Sequence, residues 1–76
     1  MLEAYVLINL KSGIPADAVK KIKQIQGVKD ARLITGLHDV IALIEAPDLK
    51  RLGRFVLDKI TRIEEVSKTL TCVVIE

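Results

Sequence analysis

The chain has 76 residues, a formal net charge of +2 and a single cysteine. This length suffices for one domain, so we expect residues 1–76 to fold as a single unit. A nearly balanced charge does not favour nucleic acid or a membrane surface as a partner, and one cysteine excludes an internal disulfide. No apolar run approaches the roughly 20 residues of a membrane-spanning helix. Because the N-terminus lacks an export signal, we expect a cytoplasmic protein.

The first half of the chain predicts a strand, a helix and a second strand. The segment AYVLINL (residues 4–10) is apolar and β-branched, as is typical of a strand. From Pro15 onward, apolar residues recur at helical spacing opposite a row of lysines, and Gly27 is a suitable stop for this helix. The segment VKDARLITG (residues 28–36) then alternates in the manner of a strand.

The second half predicts a strand, a helix and a final strand. Its first strand follows so closely on the preceding one that the two should form an antiparallel hairpin turning at Gly36, a residue that tolerates positive φ. Asp48 is a good N-cap for the helix. Gly53 falls on the apolar stripe of that helix, where we expect it to let the helix approach the sheet closely. The three predicted elements cover residues 39–46, 49–60 and 66–76.

The order β-α-β-β-α-β predicts a ferredoxin-like α+β fold, a two-layer sandwich with two helices on one face of a four-stranded antiparallel sheet. The other face of such a sheet is normally polar, but these strands are apolar on both faces. Tyr5 and Leu7 in the first strand, and Ile41 and Leu43 in the third, alternate with further apolar residues. Because monomers rarely expose such a patch, we expect two sheets to pack face to face in a homodimer, a dimeric α+β barrel.

His38, the only histidine, stands next to Asp39 in the segment TGLHDV. Adjacent residues of an extended strand point to opposite faces, so Asp39 is poorly placed to orient His38 for catalysis. No nucleophile motif surrounds the serines or Cys72, and one histidine without a CxxC motif is a poor set of metal ligands. We therefore predict neither an enzyme nor a cofactor or metal site. Asp39 suits a turn residue that accepts backbone N–H groups as well as it suits a ligand contact.

The motifs, taken together, resemble the RAM domain (regulation of amino-acid metabolism), the effector-binding half of the Lrp/AsnC feast/famine transcription regulators. The family-like features are Gly27-Val28 after the first helix, a G-x-x-D hairpin at residues 36–39 and a T-x-T motif in the last strand, and they span essentially the whole chain. The resemblance implies sheet-on-sheet homodimers that assemble further, often into octamers, and that bind an amino acid or similar small effector between neighbouring dimers. It implies a ligand site lined by Gly36, Leu37, His38, Asp39, Thr69 and Thr71.

Full-length members of that family begin with a helix-turn-helix DNA-binding domain, whereas this chain begins at the first RAM strand. The resemblance is therefore to the stand-alone RAM proteins, and it implies an indirect action through full-length Lrp/AsnC regulators, without direct contact to nucleic acid. His38 departs from the family, in which an aromatic residue is common at this position. Two alternatives stay open: a small cofactor-independent enzyme of the dimeric α+β barrel group, which needs a polar cavity between helices and sheet, and an ACT-type amino-acid-binding domain, whose subunits join side by side.

Overall fold

The computed structural model describes residues 1–11 and 15–76 and has the predicted β-α-β-β-α-β order. Residues 12–14, which belong to the expected break KSGIP after the first strand, lie outside the described residues. No helix in the described part of the chain has the length and apolar composition that crossing a membrane requires. The elements are β1 (Leu2–Leu10), α1 (Pro15–Lys23), β2 (Val28–Leu33), β3 (Val40–Ala46), α2 (Leu49–Phe55) with a π-helical turn directly after it (Val56–Ile60), and β4 (Val66–Val73).

The four strands form one antiparallel sheet in the order β2-β3-β1-β4. The central strand β1 pairs with β3 from Leu2 opposite Ala46 to Ile8 opposite Val40. On its other side β1 pairs with β4, and the register shifts after Asn9. The predicted hairpin of β2 and β3 is therefore confirmed, and the fold is the ferredoxin-like one that the sequence predicts.

The core lies between one face of the sheet and the two helices. Alternate side chains of β1 and β3 point into it, and Ile8 and Ile44 are fully buried. Ile22 of α1 and Leu52 of α2 pack into the same cluster. Burying an aliphatic side chain of this size stabilises the fold by about 1.5–3 kcal/mol. Every buried side chain in the described part of the chain is apolar.

Helix α2 begins as predicted but packs differently from the prediction at Gly53. The carboxylate of Asp48 caps the helix by accepting the N–H of Arg51 at 2.8 Å. Gly53, expected against the sheet, is exposed, and nothing lies within 4 Å of a Cβ added there. The expectation of close helix–sheet approach at Gly53 was therefore wrong.

The buried positions of α2 and the π-helical turn after it are Leu52, Val56 and Ile60, spaced by four residues. Four residues exceed one α-helical turn of about 3.6 residues, so this stripe would drift around an ideal α-helix. The wider π-helical turn from Val56 onward offsets that drift and keeps Ile60 in the core.

Close packing occurs instead at Gly27. This residue has φ +104°, a conformation that disfavours residues with a Cβ, and an added Cβ would lie 2.8 Å from Cε2 of Phe55. Helix α1 ends at Lys23, and the chain turns through the intervening residues before β2 begins at Val28. Gly27 thus allows the start of β2 to pass directly under the Phe55 ring.

The second face of the sheet carries no helix from the described residues and is apolar at its centre. Cross-strand partners of an antiparallel sheet share a face, so the pairings of Tyr5 and Leu7 on both sides of β1 define this surface. Tyr5 is 43% exposed and Leu70 51% exposed. This apolar second face is the one that the strand pattern predicts. We call it the uncovered face; it consists of Tyr5, Leu7, Ile41, Leu43, Leu70 and Cys72.

Polar residues border the uncovered face at both ends of β1. At one end Glu3 lies opposite Glu45, and Nζ of Lys29 is 3.4 Å from the first carboxylate and 3.6 Å from the second. At the other end Asn9 lies opposite Lys68. The face is therefore an apolar centre with a polar rim.

Candidate ligand site

The connection between β2 and β3 is a closed turn that carries four of the predicted site residues. The N–H of Ile34 donates to the carbonyl of Asp39 at 2.8 Å and joins the two ends of the turn. Gly36 has φ +128°, and nothing lies within 4 Å of a Cβ added to it. The requirement for glycine predicted here is therefore confirmed, and its cause is the backbone conformation and not a lack of space. Leu37 at the tip is 90% exposed.

Asp39 attaches this turn to the end of β1. Its N–H donates to the carbonyl of Ile8 at 2.9 Å, and its Oδ2 accepts the N–H of Leu10 at 2.8 Å. Hydrogen bonds to a charged acceptor are roughly twice as strong as neutral ones, so this contact is a firm anchor for the turn. Asp39 thus makes the backbone contact of a turn residue, one of the two roles that the sequence leaves open for it.

The side chain of His38 is bound to Asn9 and not to its neighbour in sequence. Nδ1 of His38 lies 2.9 Å from Oδ1 of Asn9, while Nδ2 of Asn9 donates to the carbonyl of Leu37 at 2.8 Å. The carboxylate of Asp39 points to Leu10 instead. The side chains of His38 and Asp39 therefore have different partners, Asn9 and Leu10.

Asn9 contacts the candidate site, and the sequence pattern did not single it out. It lies on the side of β1 that carries the uncovered face, and its amide group contacts two residues of the turn. Its carbonyl also accepts the hydroxyl of Ser67 at 3.1 Å, which connects it to β4. The available signal was a lone amide residue inside the otherwise apolar segment AYVLINL. A polar group in such a strand needs hydrogen-bond partners.

The two threonines predicted for the site lie on the opposite face of the sheet. Thr69 pairs with Ile8 and Thr71 with Val6, and both of these partners are fully buried under the helices. Thr69 and Thr71 therefore stand on the helix-covered side of β4, where Thr71 is exposed and Thr69 half-buried. The structure brings residues 36–39 together with Asn9 and separates this group from the threonines.

An ion pair joins helix α1 to the residue before β4. Nζ of Lys21 on α1 is 2.7 Å from Oε2 of Glu65, which precedes β4. The hydrogen bond from Lys21 is the main cause that lowers the pKa of the Glu65 carboxyl, and the same bond raises the pKa of Lys21. The carbonyl of Glu65 accepts the N–H of Lys11 at 2.7 Å. These contacts hold the end of β1, the start of β4 and helix α1 together.

Residues 1–11 and 15–76 contain neither a cluster of metal-ligating side chains nor a polar interior cavity. No three His, Cys, Asp or Glu side chains come together within these ranges. The space between helices and sheet, where the enzyme alternative requires a polar cavity, is filled there by alanine, valine, isoleucine and leucine side chains.

Comparison with known proteins relates the chain to regulators. Residues 3–76 match the model of a protein family described as the Lrp/AsnC ligand binding domain. The chain is 32% identical over 73 residues to an uncharacterized HTH-type transcriptional regulator of Pyrococcus horikoshii, an alignment that covers 92% of this chain and 49% of that protein. It spans 44 to 49% of the length of the curated regulators of this type that it matches.

A further relative is an enzyme. The chain is 30% identical over 76 residues to homocitrate synthase of Sulfurisphaera tokodaii, which covers 99% of this chain but 16% of the enzyme.

Solved structures share the fold over the whole chain. The crystal structure of FFRP-DM1 has a TM-score of 0.92 and 29% identity, and the match covers 99% of this chain and 100% of that one. Escherichia coli AsnC has a TM-score of 0.91 at 24% identity, with coverage of 99% and 51%. A transcriptional regulator from Neisseria meningitidis in complex with L-Met has a TM-score of 0.85 at 19% identity, with coverage of 99% and 50%. At these last two identities the similarity is evidence of the fold alone.

Proposed function

Because the chain belongs to the Lrp/AsnC ligand binding domain family, we propose that it is a regulatory module that binds an amino acid or a related small effector. The observation that carries this proposal is the turn at residues 36–39, in which a positive-φ glycine, a histidine and a carboxylate are held in place by β1. Polar groups with fixed positions are what a small polar ligand requires for recognition. A transcriptional regulator of the same fold has been solved in complex with L-Met, which makes amino acids the first ligands to test.

The apolar character of the uncovered face is evidence that a second copy of the chain packs against it. Interfaces have an apolar core and a polar rim, and this face has apolar side chains at its centre with Glu3, Glu45 and Lys29 at one end and Asn9 and Lys68 at the other. A monomer would expose this apolar patch to water. We therefore infer a sheet-on-sheet homodimer, which can assemble further into the octamers that the family resemblance implies.

The proposed ligand residues are Gly36, Leu37, His38 and Asp39, with Thr69 and Thr71 as the second group. The turn contacts Asn9 on the side of the uncovered face, whereas the threonines stand on the helix-covered side of β4. One small effector cannot contact both faces within one chain, so both groups serve the same ligand only if they come from different copies. This arrangement supports a site between neighbouring dimers.

The test is a panel of the standard L-amino acids, measured by thermal shift and then by titration calorimetry. A ligand at a hundred times its dissociation constant stabilises the folded state by about 2.7 kcal/mol, which gives a clear rise in Tm. We expect one or a few amino acids to produce this rise and a matching heat of binding. The Arg62→Ala variant, at an exposed position in the turn after the π-helical segment, serves as a control that binds normally. If no amino acid gives either signal, the sensing function is wrong.

We further propose that the module acts on transcription indirectly, by assembling with full-length Lrp/AsnC regulators in the cytoplasm. The curated regulators match over about half of their length, so the shared part is the module itself. Co-expression with such a regulator from the same cell should give mixed oligomers that co-purify. Complete exclusion of the chain from the regulator's oligomers would contradict this partner.

The homocitrate synthase match favours a second candidate, regulation of a biosynthetic enzyme by the same kind of module. The alignment covers 16% of the enzyme and nearly all of this chain, so it brings no catalytic activity to this protein. Activity of homocitrate synthase from the same cell, with and without the chain and each amino acid, distinguishes this candidate. The cofactor-independent enzyme alternative has no comparable support, because the family is a ligand-binding one and the matched regulators carry HTH-type names.

A further inference from the structure

Helix α2 and the π-helical turn after it carry an exposed row of residues that does not take part in the core. Leu49, Gly53 and Leu57 follow one another at intervals of four residues, which makes them neighbours on the helix surface. Leu49 is 63% exposed, Leu57 is 55% exposed, and Gly53 is exposed as well. The buried side chains of the same helix, such as Leu52 and Val56, lie beside this row and face the core. We call Leu49, Gly53 and Leu57 the outer stripe.

The packing of the described residues gives no reason for a glycine at position 53. A glycine inside a helix weakens the helix relative to alanine, and no atom lies within 4 Å of a Cβ added at Gly53. The φ angle of Gly53 is not positive, so the backbone conformation does not require glycine either. Between the two exposed leucines, the missing side chain leaves a notch in the helix surface. Glycine at such a position lets the backbone of another chain approach closely.

The charges around the outer stripe indicate which kind of partner fits this notch. The helical residues 49–60 contain four basic residues and one acidic residue, a net charge of +3 in a chain whose net charge is +2. Arg51 and Arg54 form ion pairs with neighbouring aspartates at 3.7 Å and 3.4 Å. Lys50 is exposed and forms no ion pair among the residues that the structure describes. The surface beside the outer stripe is therefore basic and complements an acidic partner.

Other occupants fit the outer stripe less well. A second copy that placed its own outer stripe there would bring two basic helices together, and like charges repel. A membrane binds the broad apolar face of an amphipathic helix, but the broad apolar face of α2 is turned into the core. Nucleic acid is bound by cations that contact phosphates, whereas this stripe is apolar and both arginines beside it already contact aspartates.

We propose that the outer stripe binds an acidic amphipathic helix of a partner protein. The apolar side of that helix packs over Gly53 and between the two leucines, and its carboxylates face Lys50 and Arg54. The helices cover one side of the sheet, and the uncovered face is the other side. The chain therefore has room for a second copy on the sheet and for a partner helix on α2 at the same time. This interaction does not depend on which small effector the chain binds.

The probe for this interaction is an alanine-rich helical peptide of about 20 residues, which exceeds the roughly 18 Å length of residues 49–60. Leucines lie along one side of the peptide and glutamates on both flanks. Titration into the ¹⁵N-labelled chain should give saturating NMR shifts at residues 49–57 and no shifts at the uncovered face. The control peptide has lysines in place of the glutamates and should bind at least about tenfold more weakly.

Substitutions at Gly53 separate a binding function from a structural one. Gly53→Ala should stabilise the free chain and yet weaken binding of the acidic peptide about threefold, because the new methyl group fills the notch. Gly53→Leu should weaken binding more than about tenfold, since its side chain clashes with the peptide backbone. A purely structural glycine would not give a gain of stability together with a loss of binding.

Substitutions of lysine test the charge complementarity. Lys50→Glu should weaken binding of the acidic peptide about tenfold and reduce its dependence on salt concentration. Lys20→Glu, the same change at an exposed lysine of α1, is the matched control and should bind as the wild type does.

The proposal is overturned if the acidic peptide does not bind, or if Gly53→Leu and Lys50→Glu bind it as the wild type does. A duplex oligonucleotide or a vesicle of anionic lipid that binds where the peptide does not would assign the basic surface to nucleic acid or to a membrane. Sedimentation that shows a smaller assembly for Gly53→Leu than for the wild type would show that a second copy already covers the outer stripe. The amino-acid titrations are separate from these measurements, so either proposal can fail while the other stands.

Discussion

Asn9 and His38 stand 29 residues apart in the chain, and their side chains meet with Nδ1 of the histidine 2.9 Å from Oδ1 of the amide. The same amide donates to the carbonyl of Leu37, so one side chain of β1 holds two residues of the turn between β2 and β3. The end of the central strand and the proposed ligand turn are therefore one hydrogen-bonded unit. A substitution in either of them should therefore alter the conformation of the other.

Asn9→Ala should lower the stability of the fold and disorder the turn. The variant loses two side-chain hydrogen bonds, each worth about 0.5–1.5 kcal/mol, so we expect the free energy of unfolding to fall by about 1–3 kcal/mol. Urea denaturation measures the loss, and amide hydrogen exchange locates it at residues 36–39. The exposed Gln24→Ala change is the control. Equal stability of wild type and Asn9→Ala would show that these bonds do not form in solution.

Leu7→Glu should separate the proposed homodimer. A carboxylate at the centre of the uncovered face would be buried without a partner if two sheets packed together, a cost of several kcal/mol. Sedimentation should show a dimer or larger assembly for the wild type and a monomer for the variant. Leu57→Glu, at a leucine of the π-helical turn that is 55% exposed, is the matched control. A wild type that is monomeric at micromolar concentration would contradict the sheet-on-sheet dimer.

Gly27→Ala should destabilise the chain more than a usual glycine substitution. The residue has φ +104°, and the new Cβ would stand 2.8 Å from the Phe55 ring. Backbone strain of this kind costs about 1–3 kcal/mol, and the contact adds to it unless the ring moves. In the double variant with Phe55→Leu, the stability lost through the contact with the ring should be recovered, and the stability lost through backbone strain should not. A neutral effect of Gly27→Ala in thermal unfolding would mean that the turn adopts another conformation.

Gly53→Ala should, in contrast, stabilise the folded chain. The residue lies within α2, is exposed, and has no atom within 4 Å of a new Cβ. Replacing a helical glycine by alanine at such a site stabilises a protein by about 0.5–1 kcal/mol. Chemical denaturation of the two chains side by side measures this gain. A loss of stability, or a change of oligomer size in the variant, would indicate that Gly53 contacts another chain.

The Lys21–Glu65 pair should make stability depend on pH in the acid range. The hydrogen bond from Lys21 lowers the pKa of Glu65 in the folded chain, so the pair contributes stability above the ordinary glutamate value of about 4.3. That contribution is lost as the pH falls through the lowered pKa of the folded state, when the carboxylate takes up a proton. Thermal unfolding between pH 7 and pH 2 should therefore show a shallower acid decline for Lys21→Met. Parallel curves for the wild type and the variant would show that the pair does not contribute to the pH dependence of stability.

Much of the fold follows from patterns that are local in the sequence. Alternation and helical spacing place every strand and helix of the described residues, because each pattern reports which side of one element is buried. The positive φ at Gly36 and the cap at Asp48 are likewise decided by neighbours within a few residues. The apolar second face also follows, since every residue of a strand lies on one of two sides.

The tertiary structure alone decides which distant groups meet. Asn9 is visible in the sequence as a polar residue in an apolar strand, but its partner depends on how β1 and β3 are aligned. The register of β4 likewise puts Thr69 and Thr71 on the helix-covered side, away from the turn. Close packing occurs at Gly27 and not, as predicted, at Gly53, because the position of Phe55 depends on how α2 lies on the sheet. Contacts of this kind depend on register and helix orientation, which are determined by the packing of the whole chain and by no single segment.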